Sequence, residues 1–382
     1  MLTGPGSYVH ILAASLKNLG QLDTLFHYYP TWRAEYVRKT REKTYRPYRW
    51  VVKGIWAVGR RLPYWHKFNP QRYYEYLLYD SLCALHLPEG VPVLWAWSQT
   101  SLFTMRKARR LGMKVLLELP ASHPSLWQEV ANRIYEPFPG LKTPYGLYLP
   151  AHLRRIEEEL YEADHIQVLS SFVRNQLLER GFGAQKVHLL PLGVDAQRFV
   201  RADAPPSEPF RFLYVGRIEL MKGVHWLLEA FRRLRLPSAE LWLAGPILEE
   251  MRPILRAYEG SFVYKGEWQR ERLPELYRQA NVFVFPTVLD SFGLVLLEAM
   301  ACGLPVIATS HSGAPDLIGP EEGWVVSPFS VEALMEAMES AYRTGRDVLW
   351  SMGKRARQKV EQNYTLSHYQ SRVAAHLATY GV

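Results

Sequence analysis

Short apolar runs that alternate with helical periodicity constrain the fold of this 382-residue chain more than any other feature. The runs VPVLWAW, KVLLELP and HIQVLS are separated by segments with the spacing of amphipathic helices. The pattern restarts after Val200 with FRFLYVG, ELWLAG, FVYKG, NVFVFP and LPVIAT. Strands that alternate with helices are typical of α/β proteins with parallel sheets, so the sequence predicts two doubly wound, Rossmann-like sheets.

The predicted division into two domains follows from the length of the chain and from a linker-like stretch. A chain this long exceeds the size at which a single hydrophobic core keeps growing. Residues 200–209, VRADAPPSEP, combine three prolines with polar residues and show no apolar period. We therefore place an N-terminal domain at residues 1–200 and a C-terminal domain at residues 201–364, and we expect residues 331–380 to be helical.

The apolar runs and the cysteines of the sequence predict a cytoplasmic protein. Runs such as Trp50–Val58 are far shorter than the roughly 20 apolar residues that a membrane-spanning helix requires. The first ten residues lack the basic segment and apolar stretch that mark a signal peptide. Cys83 and Cys302 have no metal-type spacing, which suits a reducing compartment and predicts no disulfide framework.

The positive charge of the chain is concentrated in residues 31–72. This segment holds twelve Lys and Arg residues against two Glu residues, a net charge of +10, whereas the whole chain carries +9. Trp, Tyr and Phe residues are interleaved with these cations. Peripheral binding to an anionic membrane surface and a solvated loop beside a ligand groove explain the combination equally well. Stacking on single-stranded nucleic acid is the less favoured alternative.

Two cations follow the strand FRFLYVG at the start of the C-terminal domain. Arg217 comes directly after Gly216, and Lys222 lies just before a segment with the periodicity of an amphipathic helix. The carboxyl ends of parallel strands line the ligand crevice of open α/β sheets, and a helix N-terminus carries partial positive charge. These positions predict an anion-binding site, although two solvated surface cations would give the same pattern.

A second group of candidate residues lies between the strand NVFVFP and the helix LVLLEAMA. The turn Asp290–Gly293 offers backbone amides that can bind phosphate or sugar oxygens, and Gly293 lets the backbone approach a ligand closely. Glu298 is a carboxylate among Leu, Ala and Met residues, so it needs a partner. The hydroxyl groups of a ribose would satisfy it, and so would a salt bridge to a neighbouring helix.

These two segments resemble those of a known family. VGRIELMKG and DSFGLVLLEAMACGLPVIAT are similar to the corresponding segments of the retaining GT-B glycosyltransferases of glycosyltransferase family 4. The resemblance implies that Arg217 and Lys222 bind the donor diphosphate, that Asp290 contacts the transferred sugar, and that Glu298 binds the ribose. The family usually has Glu at the position of Asp290, and Asp is shorter by one methylene, roughly 1.5 Å of reach.

The resemblance also implies further site residues in both domains. In the C-terminal domain it implies donor contacts from Gly216, Lys265, Ser291, Phe292, Gly293 and Leu294. TGPGSYVHILAASL resembles the family's first glycine-rich loop, in which Gly4 and Gly6 would approach the donor or acceptor. The strand that normally precedes this loop is expected to be missing or to lie upstream of Met1. His123, in LLELPASHPSLWQE, would contact the donor sugar or serve a structural role, and Asp195 would cap or position the hinge.

The implied fold is GT-B, with a closing helix at about residues 365–382 that packs back on the N-terminal domain. The implied activity is retaining, metal-independent transfer of a hexose-type sugar from a nucleoside-diphosphate sugar to a glycan, lipid or small-molecule acceptor. The sequence contains no D-x-D motif, and we expect no cofactor, since cations and helix-end amides would stabilise the leaving diphosphate. Two alternatives stay open: an epimerase or phosphorylase of the same fold, and a non-catalytic nucleotide-sugar-sensing adaptor.

Overall fold

The computed structural model describes residues 2–4, 9–22, 24–27, 41–44, 70–138, 141 and 148–380, and these residues form two parallel sheets with helices on both faces. The N-terminal sheet has seven described strands, in the order β3-β2-β1-β4-β5-β6-β7. The strands are β1 (Leu2–Gly4), β2 (Thr24–His27), β3 (Arg41–Thr44), β4 (Val93–Trp97), β5 (Lys114–Leu119), β6 (His165–Val168) and β7 (Val187–Leu189). The helices among them are α1 (Val9–Asn18), α2 (Pro70–Leu85), α3 (Leu102–Arg110), α4 (Pro124–Tyr135), α5 (Pro150–Glu162) and α6 (Ser171–Glu179).

The expectation that the first strand is missing from the chain is wrong. Residues 2–4 pair with β2 on one side and with β4 on the other, so they form a central strand of the sheet. Gly4 is the last residue of this strand, and Gly6 lies outside the described residues. Of the basic segment at 31–72, residues 41–44 form the outermost strand β3 and residues 70–72 begin α2, while residues 31–40 and 45–69 lie outside the described part.

The C-terminal sheet has six strands in the order β10-β9-β8-β11-β12-β13. They are β8 (Phe210–Val215), β9 (Ala239–Ala244), β10 (Val263–Tyr264), β11 (Val282–Phe285), β12 (Val306–Thr309) and β13 (Gly323–Val326). The helices of this part are α7 (Val224–Leu234), α8 (Arg252–Ala257), α9 (Leu273–Tyr277), α10 (Leu294–Ala301), α11 (Ala314–Leu317), α12 (Val331–Arg343) and α13 (Arg346–Asn363). The strand order reverses between β8 and β11, and ligands bind open α/β sheets at such a reversal.

The last helix, α14 (Leu366–Ala378), returns to the N-terminal part of the chain. It packs against α1, and Thr365 just before it forms a parallel bridge with Val194. The side-chain oxygen of Thr365 accepts a hydrogen bond from the amide of His368, which caps the new helix. The chain therefore crosses between the two sheets twice, once at residues 190–209 and once at residues 364–365.

The hinge between the sheets is held by side chains that bond to the backbone. Asp195 accepts hydrogen bonds from the amides of Gln197 and Arg198, both at 3.1 Å, so it caps the turn after the first crossing. Arg357 of α13 donates to the carbonyl oxygens of Ala196 and Ala301, at 2.8 and 2.7 Å. These bonds connect the crossing segment to the end of α10.

Buried polar groups lie between the N-terminal sheet and α14. The indole of Trp95 donates a hydrogen bond of 3.1 Å to Glu118, which is otherwise buried in the sheet. Burial raises the pKa of Glu118 from its ordinary value of 4.5 to about 8. His376 of α14 contacts Gln167, and burial lowers the pKa of His376 to about 4. Both groups are therefore held in their neutral forms near pH 6.

We expect Glu118→Gln to make the free energy of unfolding less sensitive to a rise in pH from 5 to 8. The folded chain retains a proton on Glu118 that the unfolded chain releases above pH 4.5, so stability falls as the pH rises toward 8. Wild type should lose roughly 3 kcal/mol more than the variant between pH 5 and 8, measured as free energies of unfolding in urea. Glu89→Gln, at an exposed position, is the control. Parallel pH profiles of wild type and Glu118→Gln would contradict the assignment.

Among the described helices, none combines the length and apolar character that crossing a lipid bilayer demands.

Candidate active site

The carboxyl ends of the two sheets face each other across the boundary between the domains. Ser291, in the loop after β11, donates a hydrogen bond of 2.6 Å to the carbonyl oxygen of Pro120, which follows β5. Ser170, after β6, donates one of 2.5 Å to the carbonyl oxygen of Ser291. The amide of Ser171 donates to Asp316 at 2.7 Å. The predicted site in the C-terminal sheet therefore adjoins the N-terminal domain directly.

Lys222 and Asp290 come together at the point where the strand order reverses. Lys222 ends a short 3-10 turn, Leu220–Lys222, that follows β8, and α7 begins at Val224. The ammonium of Lys222 donates to Oδ2 of Asp290 at 2.5 Å, although 68 positions separate the two residues. The ion pair is largely shielded from solvent, since the side chains of Lys222 and Asp290 are 18% and 16% exposed.

Gly223 lets the chain turn from the 3-10 segment into α7. Its φ is +68°, and a Cβ at this position would collide with the carbonyl oxygen of Pro286. A residue with a side chain would therefore be both strained and overlapping. The glycine fixes how Lys222 is presented at the start of the helix.

Asp290 is a carboxylate held by three donors, one ammonium group and two backbone amides. Its Oδ2 accepts from Lys222, while its Oδ1 accepts from the amide of Phe292 at 3.0 Å. Burial acts to raise the pKa of Asp290, but Lys222 and the amides of Phe292 and Gly293 outweigh it, so the pKa lies below the ordinary value of 3.8. The group is therefore ionised at neutral pH.

The turn Asp290–Gly293 differs from the expectation in one respect. We expected its amides to be free for a ligand, but those of Phe292 and Gly293 are engaged by Asp290. The side chain of Phe292 is completely buried, so it packs in the core rather than lining a surface. Gly293, at φ +83°, precedes Leu294, which is partly buried and begins α10.

Glu298 lies one turn into α10 and is 3% exposed. Arg270, from the 3-10 turn Arg270–Arg272, donates a hydrogen bond of 2.8 Å to its Oε1, and the hydroxyl of Tyr277 lies 3.4 Å from its Oε2. Burial raises the pKa of Glu298, and Arg270 partly offsets this. The salt bridge that the sequence left as an alternative to ribose binding is thus present in this structure.

Arg217 and Lys265 lie on the same edge of the sheet as Lys222, but they contact residues other than Asp290 and Glu298. Arg217 follows Gly216 at the end of β8, is exposed, and has its Nη2 3.4 Å from Glu219. The ammonium of Lys265, just after β10, lies 3.9 Å from the ring centroid of Trp242. The role of each in donor binding stays a prediction.

His123 caps the N-terminus of α4 inside the N-terminal domain. Its Nδ1 lies 2.7 Å from the hydroxyl of Ser125, and its Nε2 lies 2.8 Å from Glu157 without forming a well-directed hydrogen bond. Burial, together with the charge of Arg180, lowers the pKa of His123 to about 4, so the imidazole is neutral at pH 7. Its neighbours in this structure are protein groups, and the expected contact with a donor sugar stays a prediction.

Several residues next to the site were missed by sequence reasoning. Arg270 and Tyr277 contact Glu298, and Tyr135 and Glu250 lie behind the turn that carries Lys222. Arg270 belongs to a run of alternating charges, QRERLPELY, in which it looks like any exposed cation. Only the pairing of distant elements distinguishes these residues, so no local signal could have identified them.

Comparison with known proteins gives a family match for the C-terminal part of the chain and the fold of the whole chain. Residues 195–359 match the family described as glycosyl transferases group 1. A relative from Salmonella typhimurium, named WcaL for colanic acid biosynthesis, is 28% identical over 55% of this chain and 55% of its own length. The chain therefore spans about half the length of that relative. WcaL of Escherichia coli K12 is 25% identical over 78% of this chain and 74% of its own length.

Solved structures resemble the chain over almost its whole length. Sucrose-phosphate synthase from Thermosynechococcus elongatus superposes with a TM-score of 0.72 at 20% identity, covering 99% of this chain and 98% of that one. HepE of Anabaena, solved in complex with UDP-glucose, gives 0.71 at 14% identity and covers 99% of both chains. At such identities the likeness shows the fold. The chain thus has the GT-B fold, and its residues 195–359 match the family described as glycosyl transferases group 1.

Proposed function

We propose that the protein is a retaining, metal-independent glycosyltransferase that moves a hexose-type sugar from a nucleoside-diphosphate sugar to a glycan, lipid-linked or small-molecule acceptor. The observation that carries the proposal is the Lys222–Asp290 ion pair at the strand-order reversal between β8 and β11. In the proposed role, the cation of this pair binds the diphosphate and the ionised carboxylate beside it binds sugar hydroxyl groups. Asp290 precedes Ser291, which bonds to Pro120 of the N-terminal domain, the domain on which an acceptor would lie.

In the proposed donor complex, Lys222 and Arg217 bind the diphosphate. Lys provides a compact charge and Arg a planar pair of donors, each charge-assisted bond contributing about 1.5–3 kcal/mol. As the bond to the sugar breaks, negative charge develops on the leaving diphosphate, and preorganised cations stabilise it most at that moment. This is the function that a divalent metal performs in transferases with a D-x-D motif.

The donor would displace two of the contacts described above. Lys222 would exchange part of its interaction with Asp290 for phosphate oxygens, and Glu298 would exchange Arg270 for the ribose hydroxyl groups. Asp290 is then released toward the sugar. We propose front-face attack by the acceptor, with a phosphate oxygen of the leaving group as the base, since no second carboxylate is assigned as a nucleophile.

The acceptor is proposed to be a glycan or a lipid-linked sugar. The named role of WcaL relatives in colanic acid biosynthesis supports this class. Peripheral binding to an anionic membrane through residues 31–72 stays a prediction, because most of that segment lies outside the described residues.

Binding and hydrolysis of nucleotide sugars test the proposed function. The full chain is mixed with UDP-, GDP- and ADP-sugars, and thermal midpoints and slow donor hydrolysis are recorded with and without a chelator. One class of donor at about 100 times its Kd should stabilise the protein by about 2.7 kcal/mol, a rise of several °C. Hydrolysis should survive chelation and release the sugar with its anomeric configuration retained.

The same experiment separates the alternatives. An adaptor would bind a donor without releasing nucleoside diphosphate, and an epimerase would convert the sugar while keeping it attached to the nucleotide. No thermal response to any donor would refute the proposed enzyme.

A further inference from the structure

A chain of hydrogen bonds connects the two domains behind the turn that carries Lys222. Glu250 lies in the 3-10 turn Glu249–Met251, after β9. Its Oε1 accepts from the amide of Leu220 at 2.9 Å, and its Oε2 accepts from the hydroxyl of Tyr135 at 2.5 Å. Leu220 belongs to the C-terminal domain and Tyr135 to the N-terminal domain, so a single carboxyl group bonds to both.

The first bond fixes the turn that presents Lys222. Leu220 is the first residue of that turn and Lys222 the last, and the amide of Leu220 is buried. The loops after β8 and β9 are also joined through Ile218, which bonds to Pro246 and Leu248 at 2.9 and 3.1 Å. Without Glu250, the amide of Leu220 would lose its acceptor in a buried place, which is costly.

The second bond joins the turn to α4, whose last residue is Tyr135. The N-terminal cap of the same helix is His123, so α4 runs from the predicted sugar contact to the phosphate-binding turn. Near Tyr135, Arg133 lies 4.2 Å from the ring centroid of Phe329, and the ring of Phe138 lies 6.1 Å from that of His225. The end of α4 therefore touches the C-terminal domain at several points.

A buried carboxyl group such as that of Glu250 is unusual in a contact that only holds two domains together. It is 7% exposed, and no Lys or Arg among the described residues forms an ion pair with it. Burial raises its pKa, while the bonds from Tyr135 and Leu220 act in the opposite direction. An apolar contact would hold two domains together without the cost of burying a carboxyl group.

We infer that Glu250 is a positioning residue for the diphosphate-binding turn, and that Tyr135 makes this positioning depend on contact between the domains. The inference rests on the proposed function, because it assumes that Lys222 binds the diphosphate. The bond to Leu220 lies within one domain and persists when the domains separate. The bond to Tyr135 forms only when the N-terminal domain approaches, and the two chain crossings allow such motion.

The two bonds predict different kinetic effects when each is removed. Tyr135→Phe should leave the Kd of the free nucleoside diphosphate within about twofold of wild type and lower kcat about tenfold. The reason is that the variant loses one hydrogen bond to a carboxylate, and it loses this bond only in the closed state, in which the two domains are in contact. Glu250→Ala should weaken nucleoside diphosphate binding about tenfold, because the turn loses its buried acceptor. Glu250→Gln retains an acceptor for Leu220 and a donor for Tyr135, so it should stay close to wild type.

The experiment measures calorimetric Kd values for the nucleoside diphosphate of the best donor, together with kcat and KM for that donor. Glu249→Gln is the matched control, since Glu249 is the adjacent residue and its side chain is 85% exposed. Thermal midpoints and circular dichroism verify that each variant is folded. If Glu250→Ala does not fold, the contrast between Tyr135→Phe and Glu250→Gln still decides the inference.

Three results would overturn the inference. These are equal losses of nucleotide affinity and kcat in Tyr135→Phe, wild-type kcat in Tyr135→Phe, or wild-type affinity in folded Glu250→Ala. A wild-type protein that binds no nucleoside diphosphate at all would instead refute the proposed function, and the inference with it.

Discussion

Lys222→Ala lowers the affinity for the nucleotide-sugar donor and for the free nucleoside diphosphate by the same factor, on the order of 10- to 100-fold. The expected loss is that of a charge-assisted bond to phosphate, about 1.5–3 kcal/mol. Both ligands carry the diphosphate, so both lose the same interaction. The variant also leaves Asp290 without its cation, which raises the pKa of that carboxyl group.

Calorimetric titration of wild type and variant with the free nucleoside diphosphate, and kinetic measurement of KM for the donor, test this expectation. Lys354→Ala is the control, because Lys354 is an exposed cation on α13 of the same domain. A variant whose donor affinity falls while its nucleoside diphosphate affinity is unchanged would show that Lys222 binds the sugar rather than the phosphates.

Asp290→Asn keeps the affinity for the free nucleoside diphosphate and lowers kcat on the order of 100-fold. Asparagine retains an oxygen that can accept from the amide of Phe292, so the turn is preserved. The charge that orients the sugar is lost, whereas Lys222 is released from its partner and stays available to phosphate. Single-turnover transfer rates, compared with nucleotide Kd values, separate the two effects.

The matched control for this variant is Asp203→Asn, in the exposed linker. The outcome that sinks the assignment is a loss of nucleotide affinity as large as the loss of turnover. In that case Asp290 acts by holding Lys222 in place for the phosphates, and a residue other than Asp290 would contact the sugar.

Five of the strands that the sequence predicted share a physical property. β4, β5, β8, β11 and β12 are buried on both faces and therefore read as continuous apolar runs. β3 has the sequence REKT and lies at the outer edge of its sheet, so nothing in its composition indicates a strand. β1 spans only residues 2–4 and becomes a strand because β2 and β4 are available on either side.

The residues of the candidate site likewise fall into two groups, those that the sequence predicted and those that it missed. Arg217, Lys222, Asp290 and Glu298 could be named from short motifs, because each motif places its residues at the end of a strand or the start of a helix. Two partners of Glu298, Arg270 and Tyr277, could not be named from the sequence. Arg270, which pairs with Glu298, comes from an ordinary charged stretch.

The hydrogen bond between Tyr135 and Glu250 could not be named from the sequence either, because it spans 115 positions and joins two domains. The sequence by itself determined the α/β architecture and predicted the linker and the motif residues of the candidate site, because these depend on local periodicity and spacing. Only the tertiary structure decided that Lys222 pairs with Asp290, that Glu298 is held by Arg270, and that α4 reaches Glu250 behind the turn that carries Lys222. Such pairings depend on how strands order themselves in a sheet and how two domains meet, and no local pattern records either.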